Sequence, residues 1–249
     1  MAVIRILSAG AAQAVVEKVA AIYARDTGIE VKADFSAVGA MKQRVVAGEP
    51  VDVIVLTGTL VDELVASSHV APGSRADLGK VGTGVAVRTG APLPDVSSEP
   101  ALRGILLAAH RIVCPDPAVA TAGKVVMRTL EKLEIAVQVQ PRMQFFPNGY
   151  AAMKWLAESR GGLELGITQI TEILANPGVA YVGPLPGALQ MKTIYSAGVA
   201  ARAANAPAAA EFIRRLTSVS ARPILAKAGY EFENISPCPP TTHDVEVPT

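Results

Sequence analysis

Hydrophobic and polar positions along this chain switch between a period near two and a period near 3.6, and the switching predicts strands alternating with helices. Val3-Ile4-Arg5-Ile6-Leu7 reads as a strand that runs at once into small residues, Ser8-Ala9-Gly10-Ala11-Ala12. From about Ala12 to Thr27, Val15, Val16, Val19, Ile22 and Tyr23 recur at helical spacing, and Gly28 ends the run. Ile29 to Phe35 alternates as a second strand, with Val31, Ala33 and Phe35 on one face. A helix follows over about Gly39 to Ala47, carrying Met41, Val45 and Val46, and Gly48-Glu49-Pro50 breaks it. Val51 to Leu56 is a nearly continuous apolar run, the pattern of a buried parallel strand. Leu60 to Ala66 reads as a short helix.

A second series follows. Lys80 to Arg88 and Arg111 to Cys114 read as strands, about Ala120 to Leu133 as a helix, and Val137 to Val139 as a strand. Gly149 to Ser159 reads as a helix, and Leu163 to Thr168 and Val179 to Val182 as strands. The chain continues with a strand at Tyr195 to Ala200 and helices at Pro207 to Ser218 and Ala221 to Ala228. Strand–helix alternation predicts an α/β fold with mixed, mainly parallel sheets flanked by helices. Two comparable series and a last segment without its own predict two lobes with a cleft between them. The first lobe is residues 1–82 with 196–233, the second 83–195, joined by crossings near Gly82–Val87 and Tyr195–Val199. Residues 234–249 are Pro/Thr-rich and weakly patterned, which predicts a loosely held tail.

Composition narrows the function classes. Half of the 249 residues are hydrophobic, which excludes intrinsic disorder. A formal net charge of +1 argues against a nucleic-acid partner, and 4% aromatics argue against a stacking platform. No apolar run reaches the length of a membrane span. His69, His110 and His243 stand far apart with no Cys or carboxylate at ligand spacing, so no metal and no cofactor is expected. Two cysteines do not make a disulfide framework; Cys114, at a strand end beside Pro115, reads as a buried structural thiol. The chain opens on a strand without the basic, apolar and small-residue pattern of a secretory leader. The expected location is cytoplasmic if Met1 is the native start and periplasmic if a leader was removed.

Four segments in order resemble the periplasmic molybdate-binding protein family and its wider solute-binding superfamily, the type II periplasmic-binding fold. They are Ile6-Leu7-Ser8-Ala9-Gly10-Ala11, Phe35-Ser36-Ala37-Val38-Gly39-Ala40-Met41, Gly48-Glu49-Pro50-Val51-Asp52-Val53 and Gly166-Ile167-Thr168-Gln169. The resemblance covers about residues 3–230 and implies a small anion held between two lobes, with an ABC permease as partner only if the chain is exported. The molybdate binders typically hold their oxyanion with serine hydroxyls in the first two motifs. Here Ser8 is followed by Ala9, Gly10 and Ala11, and Ser36 by Ala37, Val38 and Gly39. The same broad group includes an enzyme, aconitate isomerase, so the scaffold also admits proton-transfer catalysis.

In such a fold the ligand sits where strands end and helices begin, at unpaired backbone N–H groups and positive dipole ends. The candidate ligand-binding residues are therefore Ser8, Ala9, Gly10 and Ala11 in the first turn and Ser36, Gly39, Ala40, Met41 and Lys42 in the second. In the other lobe they are Ala120 and Thr121, Asn148 and Gly149, and Thr168 and Gln169. The same residues would also serve as ordinary caps and tight turns. Lys42 stands in a first helical turn, where the dipole disfavours a cation; a role in pairing a ligand carboxylate, or in catalysis, would account for it. Glu172 and Lys154 are further candidates for proton transfer. These residues predict binding of an organic carboxylate or oxyanion, with an aconitate-type isomerase as the alternative.

Overall fold

The computed structural model describes residues 2–232. The predicted tail at 234–249, with Cys238 and His243, lies outside them. Two five-stranded sheets form the centres of two lobes. The first uses β1 (Val3–Ala9), β2 (Glu30–Ser36), β3 (Val53–Thr57), β4 (Ala76–Val81) and β10 (Thr193–Val199), in the order β2-β1-β3-β10-β4. The second uses β5 (Thr83–Arg88), β6 (Arg111–Pro115), β7 (Met143–Phe146), β8 (Glu164–Gln169) and β9 (Val179–Pro184), in the order β7-β6-β8-β5-β9. In each sheet three neighbouring strands are parallel, and the fourth position runs antiparallel to both of its neighbours. The antiparallel strands, β10 and β5, are the ones that enter each sheet from the other lobe.

Helices cover the sheets because their apolar stripes face inward. In the first lobe these are α1 (Gln13–Thr27), α2 (Val38–Val46), α3 (Gly58–Ala66), α9 (Ala206–Leu216) and α10 (Arg222–Lys227). Tyr23 of α1 meets Phe212 of α9 edge to face, with ring centroids 5.5 Å apart. In the second lobe they are α4 (Glu99–Ala108), α5 (Thr121–Lys132), α6 (Ala136–Val139), α7 (Gly149–Glu158) and α8 (Ile170–Leu174). No helix among the described residues is long and apolar enough to cross a membrane. Cys114 lies fully buried, and burial pushes its thiol up to about 12, which removes it as a nucleophile.

Three expectations are corrected. Val137 to Val139 is helix rather than strand: Ile135 and Val139, four apart, are buried while Val137 between them is 83% exposed. That is helical spacing read over too short a window. Lys80 to Arg88 is not one strand. It is β4 and β5, in different sheets, broken at Gly82. The strand-like pattern continues through the break because both halves are buried, so periodicity alone does not reveal the change of lobe. The return crossing runs from β9 to β10 through Leu185–Lys192. Its Gln190 clamps the first crossing: the Gln190 amide donates to the Thr83 carbonyl at 2.8 Å and accepts from the Thr83 N–H at 2.9 Å. Helices α4 and α8 and strand β7 carry no matching expectation, since each is short or flanked by prolines.

Asp52, the acid in the Gly48–Val53 motif, is a framework residue. It is buried, and its carboxylate accepts from the Arg5 N–H at 2.8 Å and the Asn205 N–H at 3.1 Å. It thereby ties β1 to the start of α9. The lobes meet directly where Gly39, in the first turn of α2, donates its N–H to the Val119 carbonyl of the second lobe at 3.0 Å. A Cβ on Gly39 would stand 2.9 Å from that oxygen, so only glycine allows this approach.

Two outcomes follow from these contacts. Asp52→Ala leaves two inward backbone donors unpaired and should cost about 3 kcal/mol, lowering Tm by roughly 6–12 °C in thermal unfolding followed by circular dichroism. Gly39→Ala should hold the lobes apart and raise the radius of gyration measured by small-angle scattering on the ligand-free protein. A radius equal to that of the parent chain would mean that the Gly39–Val119 contact does not set closure.

Candidate functional site

Four helical segments begin at the seam between the lobes, and their first residues bear on how the seam could receive a ligand. The short 3-10 turn Gly10–Ala12 that leads into α1 has Ala9 as its N-cap. Helix α2 has Ala37 and α5 has Ala120. Alanine has no side-chain acceptor, so none of these three starts is capped by its own side chain. Helix α7 differs, because the Asn148 side chain accepts from the Ala151 N–H at 2.8 Å.

These starts surround a small cavity of about 20 Å³, roughly the room of one water. Lining it from the first lobe are Ala9, Gly10, Ala11, Ser36, Ala37 and Tyr195. From the second lobe come Ala120, Thr121, Asn148, Gly149, Gln169 and Glu172. Gln169 is 2% exposed, and neither its amide nitrogen nor its amide oxygen has a hydrogen-bond partner. Leaving both atoms of a buried amide unpaired is costly.

Glu172 dominates the electrostatics. Its carboxylate accepts the Thr168 hydroxyl at 2.5 Å and backbone N–H groups of Gly149, Gln169 and Tyr150. It therefore occupies the start of α7 that was expected to receive a ligand. A Cβ on Gly149 would lie 2.0 Å from both the Glu172 carboxylate and the Thr168 hydroxyl, and one on Gly10 would lie 2.8 Å from Glu172. The two glycines admit the carboxylate from opposite lobes. Burial raises the Glu172 carboxyl to about 7, against the lowering effect of its four donors. The same burial, with the Glu172 charge nearby, holds the Tyr195 and Tyr230 phenols well above their usual range. Tyr230 donates to the Ala11 carbonyl at 3.3 Å and meets Tyr195 edge to face.

Outside this cavity lies a wider groove of about 1160 Å³ between α2 and α3 on one side and the start of α5 on the other. Val38 and Thr121 line both spaces, so the groove adjoins the cavity. Lys42, Arg75, Lys124 and Lys192 stand along it against Asp62 and Glu63.

Among the expected residues, Ala9, Gly10, Ala11, Ser36, Ala120, Thr121, Asn148, Gly149 and Gln169 line the cavity. Thr168 serves it indirectly, through Glu172. Five are placed elsewhere. The Ser8 hydroxyl is buried and turned back on the Ala9 carbonyl at 3.1 Å. Met41 packs in the first-lobe core. Ala40, one residue before it in α2, is not part of the cavity lining, and Gly39 spends its N–H on Val119. Lys42 lines the outer groove and pairs with Glu63 at 2.5 Å, which answers the oddity of its position without a ligand. Lys154 is exposed. Tyr195 is absent from the expected site residues, and Glu172 stands among them only as a candidate for proton transfer, not as a lining residue. For Glu172 the available signal is an acid inside the apolar segment Ile170-Thr171-Glu172-Ile173-Leu174, four residues after a threonine. Among the described residues, no group of three His, Cys, Asp or Glu could hold a metal ion.

Comparison with known proteins fits this architecture. A family model described as bacterial extracellular solute-binding protein matches residues 4–231. Aconitate isomerase from a Pseudomonas species is 31% identical over 232 residues, covering 90% of this chain and 86% of that protein. The periplasmic molybdate-binding protein of Azotobacter vinelandii superposes with a TM-score of 0.79 at 22% identity, over 92% of this chain and 99% of that one. The sulfate-binding protein SubI from Mycobacterium tuberculosis H37Rv gives 0.75 at 16% identity, over 94% and 88%. Both structures share the two-lobed fold. With a full-length family match, a relative above 30% identity and the same lobed architecture, this chain belongs to the bacterial extracellular solute-binding protein family.

Proposed function

We propose that this protein closes its lobes on a small anion, an oxyanion or an organic carboxylate, at the helix starts around Gln169. The observation that carries the reading is the Gln169 side chain: buried, unpartnered at both polar atoms, and facing a cavity ringed by three helix starts with alanine caps. A ligand with oxygens would pair the Gln169 N–H₂ and the open backbone donors together. The wider groove supplies four cationic side chains for drawing an anion inward. Relatives whose names specify molybdate, sulfate and aconitate support an anionic ligand. The cavity is small, so entry requires the lobes to part about the crossings at Gly82 and Leu185–Lys192. In this reading the chain acts outside the cytoplasm, as its family's description suggests, and passes its anion to an ABC permease.

A second reading, a cytoplasmic isomerase acting on an unsaturated di- or tricarboxylate, is favoured by Glu172. A buried carboxyl with its pKa near neutrality can take a proton from one carbon of an allylic system and return one to another. The double bond moves and no other atom is exchanged. The relative at 31% identity is an enzyme whose name matches this chemistry.

Thermal shift and calorimetry with sulfate, molybdate, tungstate, citrate, cis-aconitate and trans-aconitate should show at least one anion raising Tm by several degrees. Gln169→Leu should weaken that anion by about tenfold or more. An unmoved Tm across the whole panel would sink the anion-binding reading. For the isomerase, proton NMR of cis-aconitate incubated with the protein should reveal the trans isomer, at a rate reduced by about a hundredfold or more in Glu172→Gln. An unchanged spectrum removes the enzyme reading and leaves the binding one.

A further inference from the structure

The cavity proposed for the anion contains an acid and no base. Its lining carries no Lys, Arg or His; its ionisable side chains are Glu172 and Tyr195. Five segments around the Glu172 carboxylate present neutral groups to it. Strand β8 offers the Thr168 hydroxyl and the Gln169 N–H, and α7 offers the N–H groups of Gly149 and Tyr150. The 3-10 turn brings Gly10, β10 brings Tyr195, and the segment after α10 brings Tyr230. Among the described residues no ion pair engages Glu172.

An anion seated here approaches a carboxylate that has no counter-charge. Two like charges within a few ångströms in a buried site do not both persist, and one of them takes up a proton. The Gln169 amide oxygen, which has no partner, lines the same space and asks for a donor. We infer that this protein takes up its anion together with one proton, shared between the Glu172 carboxyl and the ligand, so that anion binding is coupled to proton uptake. The inference rests on the anion-binding reading and adds its regulation. The proton comes from solvent. Ionised Glu172 becomes the neutral acid and turns from an acceptor facing the anion into a donor to it, with no other bond made or broken.

The sign follows from linkage. In the free protein burial holds the Glu172 carboxyl at about 7. A bound anion raises it further. Well below 7 the proton is already present and binding takes up none. Above about 7 binding must take up a proton, so affinity falls with rising pH, by roughly tenfold per unit in the limit.

Isothermal titration calorimetry tests this with sulfate, molybdate and trans-aconitate, which stay fully ionised across a series from about pH 6.5 to about pH 9. Each titration is repeated in buffers of different ionisation enthalpy, which reports proton uptake from the unmodified protein. The expected result is an uptake approaching one proton at about pH 8 and a matching fall in affinity. Glu172→Gln, nearly the same shape, should bind with a flat pH profile and no uptake. Thr168→Val, which removes a donor to the ionised carboxylate, should move the onset of the fall to higher pH. Binding whose affinity ignores pH, with no proton uptake, overturns the inference and leaves the anion site standing. Linkage that survives in Glu172→Gln also overturns it. Absence of binding for all three anions at every pH overturns the anion-site reading, and the inference with it.

Discussion

The seam between the lobes is organised around a carboxylate buried without a cation. Glu172 is held by a hydroxyl and three backbone N–H groups, and it fits only because glycine stands opposite it in both lobes, at Gly10 and Gly149. Backbone donors stabilise the charge, yet burial outweighs them and leaves the carboxyl near neutrality. Much else follows from this balance. The start of α7 is satisfied from within the chain, so the open donors are those of the other helix starts. Tyr195 and Tyr230 stay neutral beside it, and Thr168 is committed to it.

The anion binding proposed for this nearly neutral chain would be a matter of geometry. The formal net charge is +1. The inner cavity has no cationic side chain, and the positive potential there comes from helix starts that alanine leaves uncapped. Side-chain cations stand one layer out, along the groove, where Lys42 and Arg75 are each tied to acids of the first lobe. On the proposed reading, the outer layer would steer an anion and the inner layer would read its shape. Dividing the work this way avoids the desolvation cost of burying a lysine or arginine against the ligand.

The lobes are joined by two crossings that are themselves paired. Gln190 holds Thr83 by both backbone groups, so the strands that change lobe travel as a unit. Across the seam, Gly39 donates its N–H to the Val119 carbonyl, beside the start of α5. A ligand that competes for the same N–H groups therefore acts on the element that sets closure. Opening exposes little apolar surface there, because the lining is mostly small residues and backbone.

The local pattern of residues carried the order of strands and helices, the two-lobed architecture and the small-residue turns at the seam, because periodicity and small-residue turns depend on neighbours in the chain. Nine of the expected ligand residues do line the cavity for that reason. Where the pattern misled, the window was too short, as at Val137, or a buried strand changed sheets without changing its polarity, as at Gly82. Only the tertiary structure decided the environments. It paired Lys42 with Glu63, 21 residues away. It also turned Ser8 into the core and set Glu172 between glycines from opposite lobes. A side chain's charge state and hydrogen-bond partners are fixed by what packs against it from distant parts of the chain, and that information is absent from any local window.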